Sequence, residues 1–124
     1  MKKRTFLCFL AIIVCLTMAS CATLTSYQAR SEYDTGLSLF NRGLFSEAIP
    51  HFEKATEVDP DYAMAYLYLG RSYVSTGDYT KAINPLRTAY RLSPDNVKNQ
   101  IMDILLDALF NAGQMEINKR KETP

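Results

Sequence analysis

At 124 residues, 48% of them apolar, the chain is long enough for one small domain and no more. Its 14 Lys and Arg stand against 13 Asp and Glu; without Lys2, Lys3 and Arg4 the 14 fall to 11, a net of −2. That balance lacks the basic surplus needed to hold a phosphate backbone, so nucleic acid is not expected as a partner.

Taken in chain order, Lys2, Lys3 and Arg4 precede an apolar run from Phe6 to Leu16, which Thr17-Met18-Ala19-Ser20-Cys21 follows. A basic start, a short apolar core and small residues at its end are the parts of an export signal, here residues 1–20. The run is too short for a comfortable membrane span. Met18-Ala19-Ser20-Cys21 resembles the bacterial lipobox, with Met18 where leucine is commoner. The resemblance implies cleavage before Cys21 and acylation of that cysteine on its sulfur and its new amino group; several acyl chains anchor stably where one does not. Cys8 and Cys15 would leave with the signal, so no disulfide is expected within the mature chain. Ala22, not aspartate, follows the cysteine, which by the same resemblance favours the outer membrane, periplasmic face, over the inner one. In a host with one membrane the protein would sit on its outer face. Residues 21–28 read as a lipidated tether, whose stretch from Ala22 to about Arg30 reaches at most roughly 30 Å.

Residues 29–62 and 63–96 are two copies of one unit. Gly36, Gly43, Ala48, Ala55 and Pro60 return as Gly70, Gly77, Ala82, Ala89 and Pro94, each 34 residues later. The same offset pairs Ala29 with Ala63, Ser38 with Ser72, Ile49 with Ile83 and Asp61 with Asp95. Unrelated segments would share roughly two identities over that length. A fixed period of this size means stacked helical or sheet units rather than one closed globule. In the second copy Tyr66, Leu69, Tyr73 and Val74 have helical spacing. Gly77 ends that helix and Asp78 can cap the next, whose apolar residues are Tyr79, Ala82, Ile83, Leu86 and Ala89. Pro94 blocks continuation. Gly36 with Ala48, and Gly70 with Ala82, are small where two antiparallel helices must come closest. Pro50 and Pro85 fall inside helices and are expected to kink them.

Tyr66, Leu69, Gly70, Tyr73, Ala82, Leu86, Ala89 and Pro94 together resemble the tetratricopeptide repeat, as do Gly36, Ala48, Phe52, Ala55 and Pro60 in the first copy. Glu32 and Thr35 depart from its pattern, polar where it is apolar. The resemblance implies an all-α fold: a short solenoid of two helix pairs with a C-terminal capping helix. For the cap, Phe40-Asn41-Arg42-Gly43 reappears as Phe110-Asn111-Ala112-Gly113, so a last helix is expected from about Asp95 to Ala112, within a capping unit of residues 97–113. Leu106 stands where the repeats have glycine, which argues against a second helix packed on it. Residues 114–124 read as a polar tail. The cap is apolar outside the stripe Gln100, Asp103, Asp107 and Asn111, so either the tail folds over it or it meets another protein, including a second copy.

The resemblance also implies a concave groove lined by the first helix of each unit: Tyr33, Leu37 and Phe40, then Leu67, Arg71 and Val74, then Asp103, Asp107 and Phe110. Tyr33, Leu37 and Phe40 fit equally well as packing against the tether or a neighbouring helix, and Arg71 could simply pair with Asp103 or Asp107. The groove would take a protein or peptide with an apolar anchor and some basic character. Tyr33, Leu37 and Tyr68 stand where the family's chaperone-tail binders have clamp residues, so that clamp is missing. Tyr62, Tyr66, Tyr73 and Tyr79 fit core spacing. No enzyme is expected: His51 is the single histidine, no Gly-rich phosphate loop is present, and Asp103 with Asp107 reads as a solvated face before a metal site. No cofactor is expected beyond the lipid on Cys21. The expected role is an envelope adaptor of the kind that serves pilus and secretin biogenesis or outer-membrane assembly. A self-associating scaffold and an accessory subunit of a cell-wall enzyme are the alternatives.

Overall fold

The structure is a computed structural model, which describes residue 8 and residues 24–122. Cys21 and, apart from the exposed Cys8, the export signal lie outside the described residues. Five helices follow one another from residue 24 onward: α1 (24–41), α2 (Phe45–Val58), α3 (Ala63–Ser75), α4 (Tyr79–Leu92) and α5 (Asp95–Glu122). No strand occurs among the described residues. The chain is an all-α stack of two helix pairs closed by one long helix.

The turns follow from residues that leave the helical region. Gly43 and Gly77 have φ of 77° and 83°, backbone conformations that side chains resist, and each turns the chain between the helices of a pair. Between pairs, Asp59-Pro60 and Ser93-Pro94 interrupt the ladder. Asp59 Oδ1 accepts the N–H of Asp61 at 3.1 Å, an Asx-type turn. Asp78 does precede α4, but its carboxylate bonds no backbone N–H of that helix; Lys81 Nζ donates to its Oδ2 at 3.3 Å instead. α2 and α4 run on through Pro50 and Pro85.

Within each pair the helices meet at a glycine. A methyl group on Gly36 would lie 2.9 Å from Phe52 Cε1, and one on Gly70 only 2.5 Å from Leu86 Cγ. Ala48 and Ala82, fully buried, supply the small surfaces opposite. The core has two parts that share α3. Tyr33, Ala48, Phe52, Ala55, Ala65 and Leu69 join α1, α2 and α3, while Leu67, Ala82, Leu86, Ala89, Ile101, Leu105 and Ala108 join α3, α4 and α5. Tyr73 packs against both. α3 is accordingly apolar around most of its circumference. Its buried Ser72 hydroxyl donates to the Tyr68 carbonyl at 2.8 Å, leaving no unpaired polar group there.

Both ends differ from the expected ones. Residues 24–28, read as tether, are the first turns of α1, in a stretch with neither glycine nor proline to stop a helix. At the other end α5 does not stop at Ala112. Gly113 keeps a negative φ, and Gln114 to Glu122 are mostly good helix formers. Arg120 reaches back to Glu116 at 3.7 Å, and Lys119, Arg120 and Lys121 oppose the negative end of the helix dipole. Of the two alternatives for covering the cap, the tail does not supply one: it continues the axis of α5.

Candidate functional site

Of the expected groove residues, the structure gathers Phe40 and Arg71 into one arrangement, with Tyr68, which stands at a clamp position of the groove, as its third member. Phe40 leaves the last turn of α1 and meets Tyr68 of α3 edge-on, ring centroids 5.2 Å apart at 87°. It meets Phe45 likewise at 5.0 Å and 69°. Arg71 follows Tyr68 by three positions, so both point the same way from α3. Its guanidinium lies 5.1 Å from the centroid of the Phe40 ring and 5.1 Å from that of Tyr68. Ring faces attract a cation without neutralising it, so Arg71 is held in place while keeping its hydrogen-bond donors for another group. Arg71 makes no ion pair with Asp103 or Asp107 among the described residues; the rings take the place of the carboxylates.

Tyr33 and Leu67 belong to the core, each 8% exposed. Tyr33 packs among Tyr62, Phe52 and Tyr68 at centroid distances of 5.0, 5.8 and 5.8 Å, which is the packing alternative for that residue. Burial, with smaller contributions from the neighbouring Tyr68, Tyr62 and Asp34, pushes its phenol up to about 12, although Arg71 pulls the other way. Leu37 and Val74 are half-buried against the two halves of the core. Asp103 and Asp107 are exposed on α5, and Phe110 is 67% exposed there.

Two polar contacts bind α2 to its neighbours. Glu32, out of place for the repeat pattern, has a partner in His51, whose Nδ1 lies 2.9 Å from Glu32 Oε2, the imidazole donating to the carboxylate. The equivalent positions of the second unit are Tyr66 and Pro85, an apolar exchange for a polar pair. Tyr73 donates to Glu53 Oε1 at 2.6 Å, and burial followed by this bond raises its phenol to about 12 as well. The histidine is thereby occupied in joining two helices. No group of three or more potential metal ligands occurs among the described residues.

The outer side of α5 is the other prominent surface. Leu106, 55% exposed, Leu109 and Phe110 stand out from it, with Ile117 two turns further on. Met115 lies on the opposite side, beside the turn formed by Gly77 to Lys81. No described helix is long and apolar enough to cross a membrane.

The tetratricopeptide repeat model matches residues 33–97, more than half of the chain, from within α1 to the start of α5. No curated protein matches the chain.

Proposed function

The chain belongs to the tetratricopeptide-repeat family, whose stacked helix pairs serve protein–protein interaction, and from that premise we propose that it is a lipid-anchored adaptor of the bacterial cell envelope. Cys21 carries the lipid, residues 1–20 are the export signal, and the repeats work close to the membrane surface. Met18-Ala19-Ser20-Cys21 and the basic, then apolar, segment before it support this placement. Ala22 favours the periplasmic face of an outer membrane. The reading needs no cofactor and no catalysis.

The observation that carries the binding reading is the Phe40–Arg71–Tyr68 arrangement. An arginine held against two aromatic rings that themselves meet edge-on has less side-chain freedom to lose when a partner arrives. Arg and aromatic residues are also the side chains that dominate binding energy at protein interfaces. The partner segment would place a backbone carbonyl or carboxylate on Arg71 and an apolar side chain beside Phe40. A basic residue further along would suit Asp103 and Asp107. Envelope assemblies such as pilus, secretin or outer-membrane protein machineries are the setting proposed for that partner.

A photo-crosslinking residue placed at Arg71 in living cells tests this reading, with the captured protein identified by mass. One dominant envelope protein is expected, and its capture from the neighbouring position 40 should be lost on Arg71→Glu. Capture of nothing would refute the groove. The anchor is tested separately: Cys21→Ser should leave uncleaved, mislocalised protein, and normal cleavage with release from the membrane would sink it.

A further inference from the structure

In both repeats the glycine-bearing face of the first helix is covered by the second helix: Phe52 of α2 lies over Gly36, and Leu86 of α4 over Gly70. α5 is a first helix without a second. Its equivalent face carries Leu106, Phe110, Gly113 and Ile117, at steps of four, three and four that keep them on one stripe, with Leu109 beside it. Nothing lies within 4 Å of where a Gly113 methyl would be, and the large side chains of the stripe are exposed. Leu106 replaces the contact glycine of the repeats, but the counterpart of the turn glycine Gly43 stays on this face as Gly113 within a continuous helix, so an antiparallel helix would come closest there.

We propose that a second copy of this chain covers the stripe, its α5 running antiparallel to the first and crossing it at Gly113. The paired helices of each repeat are themselves antiparallel, so the second copy supplies what the truncated third unit lacks. With the crossing at Gly113, a residue n positions before it faces the residue n positions after it in the other copy. Leu109 then faces Ile117, and every contact occurs twice, as a two-fold interface requires. Charge selects the same register. Asp103 and Asp107 lie one turn apart on one edge of the stripe, and Lys121 of the second copy falls between them on that edge. A parallel pairing would set the acidic half of α5 beside its own copy and the basic Lys119-Arg120-Lys121 end beside its own. From Leu106 to Glu122 the helix is about 25 Å long at 1.5 Å per residue. One helix face is small beside the roughly 800 Å² per partner of a standard interface, so a weak, concentration-dependent dimer is expected. The pairing leaves Phe40, Tyr68 and Arg71 untouched but engages Asp103 and Asp107, so a second copy and a basic partner residue would compete for those two carboxylates while the aromatic end of the groove is tested separately.

Sedimentation of the full chain at up to about 100 µM tests this, with a dimer of twice 14.1 kDa expected. Leu106→Glu with Phe110→Glu should give a monomer whose helical circular dichroism is unchanged. Lys121→Asp, which touches no core residue, should weaken the dimer by about tenfold through the two symmetric ion pairs it removes. Adding Asp103→Lys and Asp107→Lys to Lys121→Asp should restore it. A monomeric wild type, an assembly larger than a dimer, a dimer indifferent to Lys121→Asp, or a failed charge swap would each overturn the proposal.

Discussion

Replacing Gly70 with alanine would set a methyl group 2.5 Å from Leu86 Cγ, where no real pair of carbons sits. Leu86 is fully buried and cannot swing away, so the helices must part, and we expect a loss of about 1–3 kcal/mol of stability. At Gly77 nothing would meet the methyl, but φ of 83° is strained for any side chain, and alanine there should cost about 1 kcal/mol. Gly113 has both space and an ordinary helical backbone, so alanine should stabilise the chain by about 0.5–1 kcal/mol. Urea denaturation of the three variants at low concentration, where self-association is absent, would test that order; equal effects would contradict it. The tyrosines give a second measurement at this scale. Tyr33 and Tyr73 have phenols raised to about 12 from an ordinary 10.0, mainly because burial disfavours the phenolate. A folded value above the unfolded one means the contribution is complete below about pH 10 and is lost as pH climbs through 12. Ultraviolet titration should therefore show tyrosines that resist ionisation at pH 11, and stability should fall between pH 10 and 12. Tyr33→Phe should flatten part of that fall.

At the scale of one helix, α5 divides its residues sharply. Ile101, Leu105 and Ala108 are buried against α3 and α4, whereas Leu106, one position from Leu105, is more than half exposed. Ile101→Ala should cost about 2–5 kcal/mol by leaving a cavity, while Leu106→Ala should change the monomer's stability by less than about 0.5 kcal/mol. Thermal melts of the pair would show whether this face has a covering helix of its own. Leu106 illustrates what the sequence made legible: a leucine where Gly36 and Gly70 stand told against a helix packed upon it, and the exposed face agrees. The glycine turns and the helix-pair contacts were legible for the same reason, because a repeated small residue has few uses. The end of α5 was not. Gly43 and Gly77 end helices because the chain must turn back on itself there, and Gly113 has no such demand on it. Local propensity then carries the helix through to Glu122. Of the groove candidates, Tyr33 and Leu67 are core residues, Tyr33 by the packing alternative already open to it. Tyr62, Tyr68 and Phe52 close around Tyr33, and Leu67 is packed into the half of the core made with α4 and α5.

Over the whole molecule, α3 decides how the stack behaves. Leu69 and Ala65 belong to the half of the core made with α1 and α2, and Leu67 to the half made with α4 and α5. No side of α3 can lose its neighbours without exposing apolar surface, so neither pair has a complete core alone. Long repeat arrays can unfold in sections because each unit meets only its neighbours. Here every section includes α3, so denaturation should be a single transition with both halves lost together. Phe52→Ala and Leu86→Ala, in different halves, remove the largest fully buried side chains of each and should each cost about 3–5 and 2–5 kcal/mol. The decisive readout is amide exchange, residue by residue. If α3 couples the halves, Phe52→Ala will lower protection in α4 as much as in α2, even though Phe52 lies in the other half of the core. If the halves are independent, protection in α4 will stay at its wild-type value and two transitions will appear. Protection should in either case be lowest beyond Ala108 in the monomer, because no residue after it in α5 is buried, and its rise at high concentration would mark the arrival of a second copy.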